Sequence, residues 1–185
     1  MSERSFLQDL KKSFEIASNG FIHYFKIPDM PHTKGSNTKF DIKKPYDSYV
    51  IYSGIPMAIE AKFTKDYKSF GLKDLRPNQI KGLDEMQNAG GLSFVFLNIK
   101  RPSCPIEKIS RCNDLLIFPW PEFKSHKGNY LKKELLEYPK TRYEKGIYPG
   151  VKGFLLGVKE YDLRKECLGI DKGVGFYIEK NQIPT

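Results

Sequence analysis

The sequence predicts a single α/β domain over residues 1–185, in which a mixed β-sheet is flanked by α-helices. Three observations predict this class. Apolar residues recur at helical spacing over 5–18, an apparent β-hairpin occupies 46–63, and a second helical pattern precedes an apolar run at 92–99. The chain has no internal repeat and no dividing linker, and it is long enough to bury one core.

The first half of the chain begins with a helix and continues with strands. The helix over 5–18 ends at Asn19-Gly20, and the aromatic and β-branched run at 21–28 predicts a strand. Residues 29–44 are polar and rich in turn formers, so they are expected to form a loop. The hairpin follows, with a tight turn at Ser53-Gly54.

The second half opens with another helix. Pro77 stands where a first helical turn begins, and Gly90-Gly91 ends that helix. The almost continuous apolar run at 92–99 is typical of a central strand covered on both faces. Shorter segments complete the prediction: a strand at 114–120, a helix at 130–138, and strand-like pieces at 153–158 and 173–179.

The charge balance suits a polyanionic partner. The chain carries 31 Lys and Arg against 22 Asp and Glu, a net charge of +9, although charge alone does not separate a nucleic-acid binder from a merely basic protein. No apolar run approaches the roughly 18–20 residues that span a bilayer, and the N-terminal segment lacks the apolar core of a signal peptide. We therefore expect a cytoplasmic protein without a membrane partner. Three cysteines without C-x-x-C spacing predict neither disulfides nor a zinc site.

Residues 45–63 contain the candidate chemistry. Side chains alternate between the two faces of a strand, so Glu60 and Lys62 share one face. The alternate residues, Met57, Ile59, Ala61 and Phe63, form an apolar core face. If the hairpin pairs as predicted, Asp47 comes to the same place from the neighbouring strand. The pattern therefore predicts two carboxylates and an amine at one point of the sheet.

Two interpretations of this cluster remain open from the residues alone. Converging carboxylates are hard oxygen ligands, which suit Mg²⁺ or Mn²⁺ better than zinc. A metal there would lower the pKa of a bound water and stabilise charge on a scissile phosphate, and Lys62 would hold or deprotonate the attacking water. The alternative is an ordinary salt-bridge cluster of Asp47, Glu60 and Lys62 on a solvated strand face.

The wider pattern resembles a known family. Pro45-Tyr46-Asp47 followed by Glu60-Ala61-Lys62 resembles the PD-(D/E)XK nuclease signature, and residues 45–100 resemble the core of RecU-type Holliday junction resolvases. In that family an E-A-K strand precedes a Ser-Phe-x-Leu loop, a helix opening on a Gln-Ile step, and a glycine-led apolar strand. The matching positions are Ser69-Phe70-Gly71-Leu72, Asn78-Gln79-Ile80 and Gly90-Gly91-Leu92.

This resemblance implies a restriction-endonuclease-like fold and Mg²⁺-dependent cleavage of four-way DNA junctions, with Mn²⁺ as a substitute metal. It also implies a homodimer that presents two active sites to opposite strands. Asp47 and Glu60 would be metal ligands, the carbonyl of Ala61 would be a further ligand, and Lys62 would be the catalytic lysine. Gln79 matches the family glutamine near the active site, where it would orient the water, Lys62 or a phosphate.

Two departures from the family pattern bear on these expectations. Family members usually carry an acidic residue on the first helix, but Leu7 stands at that place here. Glu3, one helical turn earlier, is the first candidate replacement, followed by Gln8 and Asp9. The long stalk insertion of the family corresponds here to the short loop at about 29–44. Junction selectivity is therefore less firmly implied than cleavage.

Basic residues surround the candidate site, and we expect them to contact phosphates and not bases. They are Lys65, Lys68, Lys73, Arg76 and Lys81, together with Lys43 and Lys44 at the end of the short loop. Two other functions stay open: a PD-(D/E)XK endonuclease that acts on duplex or flapped DNA, and a non-catalytic DNA-binding protein on the same scaffold. The missing first-helix acid motivates the second.

Overall fold

A six-stranded β-sheet forms the centre of the computed structural model, which describes residues 3–28, 44–100 and 113–168. The helices are α1 (Glu3–Ala17), α2 (Pro77–Asn88), α3 (Trp120–Ser125), α4 (Lys132–Glu137) and α5 (Val151–Leu168), with a 3₁₀ turn at Leu72–Asp74. The strands are β1 (Ile22–Lys26), β2 (Ser48–Tyr52), β3 (Ile55–Thr64), β4 (Phe70–Gly71), β5 (Leu92–Lys100), β6 (Asn113–Pro119), β7 (Asn129–Tyr130) and β8 (Lys140–Arg142).

The large sheet is mixed. Its strand order is β1-β2-β3-β5-β6-β8, and only the β3–β5 pair is parallel, because α2 crosses over between these two strands. Strands β4 and β7 form a separate two-stranded sheet. The predicted fold class, a mixed sheet flanked by helices, is therefore confirmed.

Each face of the sheet packs against its own helices. On one face, hereafter the α1/α5 face, side chains such as Ile59 and Phe96 pack with Phe14 and Phe154. On the other, hereafter the α2 face, the alternate residues of the same strands pack with α2, α3 and α4. Because both faces are covered, β5 is buried along its whole length except at Lys100, as the apolar run at 92–99 predicted.

The hairpin has the predicted tight turn. Tyr52 pairs with Ile55, and the two residues between them, Ser53 and Gly54, have φ angles of 51° and 82°. Positive φ at both central positions is typical of a hairpin turn whose twist matches that of its strands. This register sets Ser48 opposite Ile59 and so brings the residue before β2 close to the middle of β3.

Two predicted elements are wrong or misplaced. Residues 153–158 are helical, not a strand, because Val151, Phe154, Leu155 and Val158 form one buried stripe of α5 at helical spacing. The strand predicted at 114–120 ends at Pro119, after which Trp120 begins α3. The strand-like piece predicted at 173–179 lies outside the described residues, as does almost all of the loop predicted at 29–44.

No helix in the described ranges is long and apolar enough to cross a bilayer.

Candidate active site

Strand β3 places Glu60 and Lys62 on the α2 face of the sheet. Their neighbours Ile59 and Ala61 pack into the core of the opposite face, so the predicted alternation holds. Glu60 is only 1% exposed, whereas the side chain of Lys62 is 22% exposed and reaches toward solvent. The face that carries the carboxylate is therefore buried and not solvated, which contradicts that part of the salt-bridge alternative, although Glu60 and Lys62 do form an ion pair of 3.0 Å.

Asp47, the residue immediately before β2, is fixed against β3. Its Oδ2 accepts a hydrogen bond of 2.9 Å from the backbone N–H of Ala61. Its own N–H donates to the carbonyl of Ile59 at 3.1 Å, and its carbonyl accepts from the N–H of Ile27 at 2.9 Å. The Asp47 carboxylate thus accepts the hydrogen bond that a backbone carbonyl of a neighbouring strand would otherwise accept from β3. The donor is Ala61, which lies between Glu60 and Lys62.

Gln79 connects the first turn of α2 to both of these β3 side chains. Its Nε2 donates to Glu60 Oε1, and its Oε1 accepts from Lys62 Nζ at 3.0 Å and from the N–H of Arg76 at 2.9 Å. Lys62 Nζ also lies 3.0 Å from Glu60 Oε1. The start of the helix, the lysine and the glutamate are therefore held in one hydrogen-bonded network.

The two carboxylates influence each other electrostatically. Burial raises the pKa of Glu60 to about 8, and the negative charge of Asp47 adds to the increase, while Lys62 and Lys44 act in the opposite direction. A pair of close, buried carboxylates favours any group that brings positive charge between them. This is the electrostatic condition for a cation site.

The donor set fits a hard divalent cation. Glu60 Oε2 is buried and has no hydrogen-bond partner among the described residues, so one carboxylate oxygen is available as a ligand. Carboxylate and carbonyl oxygens are the ligands that Mg²⁺ prefers, and Mg²⁺ usually completes its coordination with water. No group of three or more His, Cys, Asp or Glu residues gathers within the described ranges, so a metal held here would draw on two carboxylates, backbone and water.

Some predicted site residues are not brought to this cluster. Glu3 begins α1, but its side chain lies outside the description, and Lys43 lies outside the described residues altogether. Leu7, at the place of the family's first-helix acid, is buried in the core of the α1/α5 face. The first-helix acid therefore stays a prediction.

The predicted phosphate-contacting residues that follow β3 in the chain are exposed. Lys65, Lys68 and Lys73 lie in the segment between β3 and α2, and Arg76 and Lys81 belong to the start of α2. Lys81 also forms an exposed pair with Glu85 at 3.6 Å. Tyr67 and Phe70, which lie among them, are buried in the core of the α2 face and hold this segment on the sheet.

Two contacts were missed by the sequence prediction. Lys44 lies against Asp47 with 2.7 Å between Nζ and Oδ1, and Asn78 donates from Nδ2 to the carbonyl of Lys44 at 2.6 Å. Spacing gives no signal for the Asn78 contact, because the two residues meet only through the packing of α2 on the segment before β2. The three-residue spacing of Lys44 and Asp47 is the one signal that could have indicated the ion pair.

A comparison with protein-family models agrees with the predicted resemblance. A family model described as Recombination protein U matches residues 10–104, just over half of the chain. Among solved structures, Hjc of Archaeoglobus fulgidus, described as a Holliday junction resolvase from an archaeal hyperthermophile, is 14% identical. That match covers 80% of this chain and 88% of that chain, with a TM-score of 0.37. Comparison with curated proteins gave no match.

Proposed function

Because the chain belongs to the RecU family of recombination proteins, we propose that it is a divalent-metal-dependent endonuclease that resolves four-way DNA junctions. The family match over residues 10–104 includes the whole segment, 45–100, that carries the resemblance in the sequence. The observation that carries the proposal is the meeting of Asp47, Glu60 and Lys62, with one buried glutamate oxygen left without a partner among the described residues.

Asp47 and Glu60, with the carbonyl of Ala61, are the residues that would hold the metal, for which we propose Mg²⁺ with Mn²⁺ as a substitute. When bound, the metal supplies a water of lowered pKa and offsets charge on the scissile phosphate. The N–H of Ala61 already fixes Asp47 Oδ2, so Oδ1 is the oxygen of that carboxylate that can turn to a cation.

Lys62 is the proposed catalytic lysine. Its ammonium is held on one side by Glu60 Oε1 and Gln79 Oε1, and its side chain is partly exposed, so it can face both the protein network and a substrate phosphate. In this position it would orient the attacking water and stabilise negative charge as the phosphodiester breaks.

Gln79 is a proposed positioning residue. It donates to Glu60 while it accepts from Lys62, so it fixes the orientation of both groups relative to the start of α2. The same oxygen accepts from the N–H of Arg76, which ties the network to the backbone of the helix. Replacing such a supporting residue typically costs about 10- to 100-fold in metal affinity or activity.

The exposed basic residues support binding through the DNA backbone. Lys65, Lys68 and Lys73 lie in the segment that leads from β3 to the start of α2, the two elements that carry Glu60, Lys62 and Gln79, and their charges suit phosphates. We further propose a homodimer, since paired cuts in a four-way junction require two active sites. The substrate is then selected by shape, with phosphates positioned on both subunits.

The test is incubation of the protein with a synthetic four-way junction and with a linear duplex of matched sequence, with Mg²⁺, with Mn²⁺ and with chelator. Paired symmetric nicks in the junction alone, dependent on metal and absent in Glu60→Gln, are the expected result. Equal cutting of the duplex would favour a different nuclease activity, and tight binding without cutting in either metal would favour a non-catalytic binder.

A further inference from the structure

Lys44 occupies an unexpected position for a residue predicted to contact DNA. Its Nζ lies 2.7 Å from Asp47 Oδ1, and its side chain is only 20% exposed. The ammonium therefore lies inside the candidate site, against the carboxylate oxygen that remains after Ala61 has taken Oδ2. A flexible surface lysine gains little from such a pair, so the placement of Lys44 requires support from its backbone.

Backbone contacts hold Lys44 in this place. Its carbonyl accepts a hydrogen bond of 2.6 Å from Asn78 Nδ2, in the first turn of α2. The next residue, Pro45, packs so closely on the same helix that a Cβ added to Gly82 would lie 2.3 Å from Pro45 Cβ. The backbone of the segment that carries Lys44 is therefore clamped to α2, and this holds the lysine within reach of Asp47.

The charges of the site are balanced by this arrangement. Glu60 is paired with Lys62, and Asp47 is paired with Lys44, so each buried carboxylate has its own ammonium. The charge of Lys44 also reaches Glu60, where it favours the ionised form. Above pH 8, where Glu60 is ionised, two positive charges thus offset two negative charges in the protein alone.

We propose that Lys44 is a displaceable counter-cation. It forms an ion pair with Asp47 in the metal-free protein, and this ion pair must break when a divalent cation binds. This inference rests on the proposed function, in which Asp47 is a metal ligand. The reason is electrostatic: an ammonium in contact with Asp47 Oδ1 repels a dication placed on the same carboxylate. Once released from Asp47, the Lys44 ammonium is available to bind a DNA phosphate. This second contact explains why a lysine lies at this position of a DNA-cleaving site.

The first test is the affinity for Mn²⁺, measured by calorimetry without DNA. If the Lys44–Asp47 ion pair is formed in about nine molecules of ten, removal of the lysine ammonium raises the apparent affinity for Mn²⁺ about tenfold. Lys44→Met should therefore bind Mn²⁺ more tightly, whereas Lys44→Arg, which keeps the charge, should stay close to wild type. Lys11→Met removes an exposed lysine that pairs with Glu15 on α1, and it is the matched control with unchanged affinity.

Equal affinity in wild type and Lys44→Met, or weaker affinity in the variant, would overturn the proposal. So would an equal increase in Lys44→Met and Lys44→Arg, because the effect would then come from packing and not from charge. If instead Glu60→Gln binds Mn²⁺ as well as wild type, the metal site itself is elsewhere, and it is the proposed function that fails.

A second test uses the wild-type protein and does not depend on how a variant folds. Acetylation of lysine amines, followed by mass spectrometry, reports the accessibility of each ammonium. Lys44 should react slowly in chelator and several-fold faster in saturating Mn²⁺, while the exposed Lys11 reacts equally in both. A rate at Lys44 that is unchanged or reduced by Mn²⁺ would show that the ammonium stays on Asp47.

Discussion

At the scale of single residues, the two oxygens of Glu60 have different surroundings. Oε1 accepts from the Gln79 amide and lies beside the Lys62 ammonium, whereas Oε2 is buried without a hydrogen-bond partner among the described residues. A buried acceptor without a partner costs about 1–3 kcal/mol. The site therefore gains from any cation or water that reaches Oε2, and this asymmetry distinguishes it from a satisfied salt bridge.

The raised pKa of Glu60 predicts how metal binding depends on pH. Burial and the charge of Asp47 raise this pKa to about 8, and a metal binds only to the ionised carboxylate. Binding below pH 8 must therefore release a proton, so the affinity for Mn²⁺ should increase by up to about tenfold per pH unit from pH 6 to pH 8 and level off above. Calorimetry in buffers of different ionisation enthalpy measures both the affinity and the proton release.

Asp47→Asn is the informative comparison for this pH dependence. Removing the neighbouring negative charge lowers the pKa of Glu60, so the rise in affinity should move to lower pH even though binding is weaker overall. An affinity for Mn²⁺ that does not change between pH 6 and pH 9 in the wild-type protein would contradict the assignment of Glu60 as the ligand that loses a proton when the metal binds.

At the scale of elements, the site depends on how α2 lies on the hairpin. The alternation of β3 and the two-residue turn predicted that Asp47, Glu60 and Lys62 would meet, because period and loop length fix both faces and register. The family resemblance predicted only that Gln79 lies near the site, where it would orient the water, Lys62 or a phosphate. Its bond to Glu60 was not predicted, since the approach of a helix to a strand is set by packing and not by spacing. Helix α5 was missed because its two glycines and short apolar runs hid the buried stripe.

The close approach of α2 to the segment before β2 predicts the effect of Gly82→Ala. The added Cβ would lie 2.3 Å from Pro45 Cβ and 2.7 Å from the Pro45 carbonyl oxygen, so helix and segment must move apart. We expect a decrease of about 1–3 kcal/mol in the free energy of unfolding. We also expect weaker Mn²⁺ binding, because Pro45 is two residues before Asp47 and a shift of Pro45 would move the Asp47 carboxylate.

The matched control is Gly153→Ala on α5. An added Cβ at Gly153 meets nothing within 4 Å, and alanine in a helix is favoured over glycine by about 0.5–1 kcal/mol. This variant should be as stable as wild type or more so, with unchanged Mn²⁺ affinity. If Gly82→Ala has the same free energy of unfolding and the same Mn²⁺ affinity as Gly153→Ala, residues 44 and 45 are not held closely against α2.

At the scale of the whole molecule, the net charge of +9 is spread over more than one surface. Lys65, Lys68 and Lys73 are exposed in the segment that Tyr67 and Phe70 hold on the α2 face, the face that also carries Glu60 and Lys62. The exposed Lys11, Lys152 and Lys159 belong to α1 and α5, which cover the opposite face of the sheet. The chain thus offers two sets of lysines of equal charge and different location.

These two sets predict different effects on junction binding. Removal of one lysine–phosphate pair should reduce the slope of log K against log salt by about 0.9 on duplex arms. Replacing Lys65, Lys68 and Lys73 together by alanine should lower the slope by up to about 3, measured by fluorescence anisotropy in Ca²⁺ or chelator. The same replacements at Lys11, Lys152 and Lys159 should leave it nearly unchanged, and an equal decrease from both sets would contradict a localised DNA surface.

The central claim is that Asp47 and Glu60 hold one hard divalent cation beside Lys62. A crystal of the protein grown with Mn²⁺ tests it most directly, because the anomalous signal of manganese locates the ion independently of any assumption about the site. The account predicts a peak within coordination distance, about 2.0–2.2 Å, of an oxygen from each of Asp47 and Glu60. A fully occupied peak elsewhere, or none at this pair in saturating Mn²⁺, would contradict it.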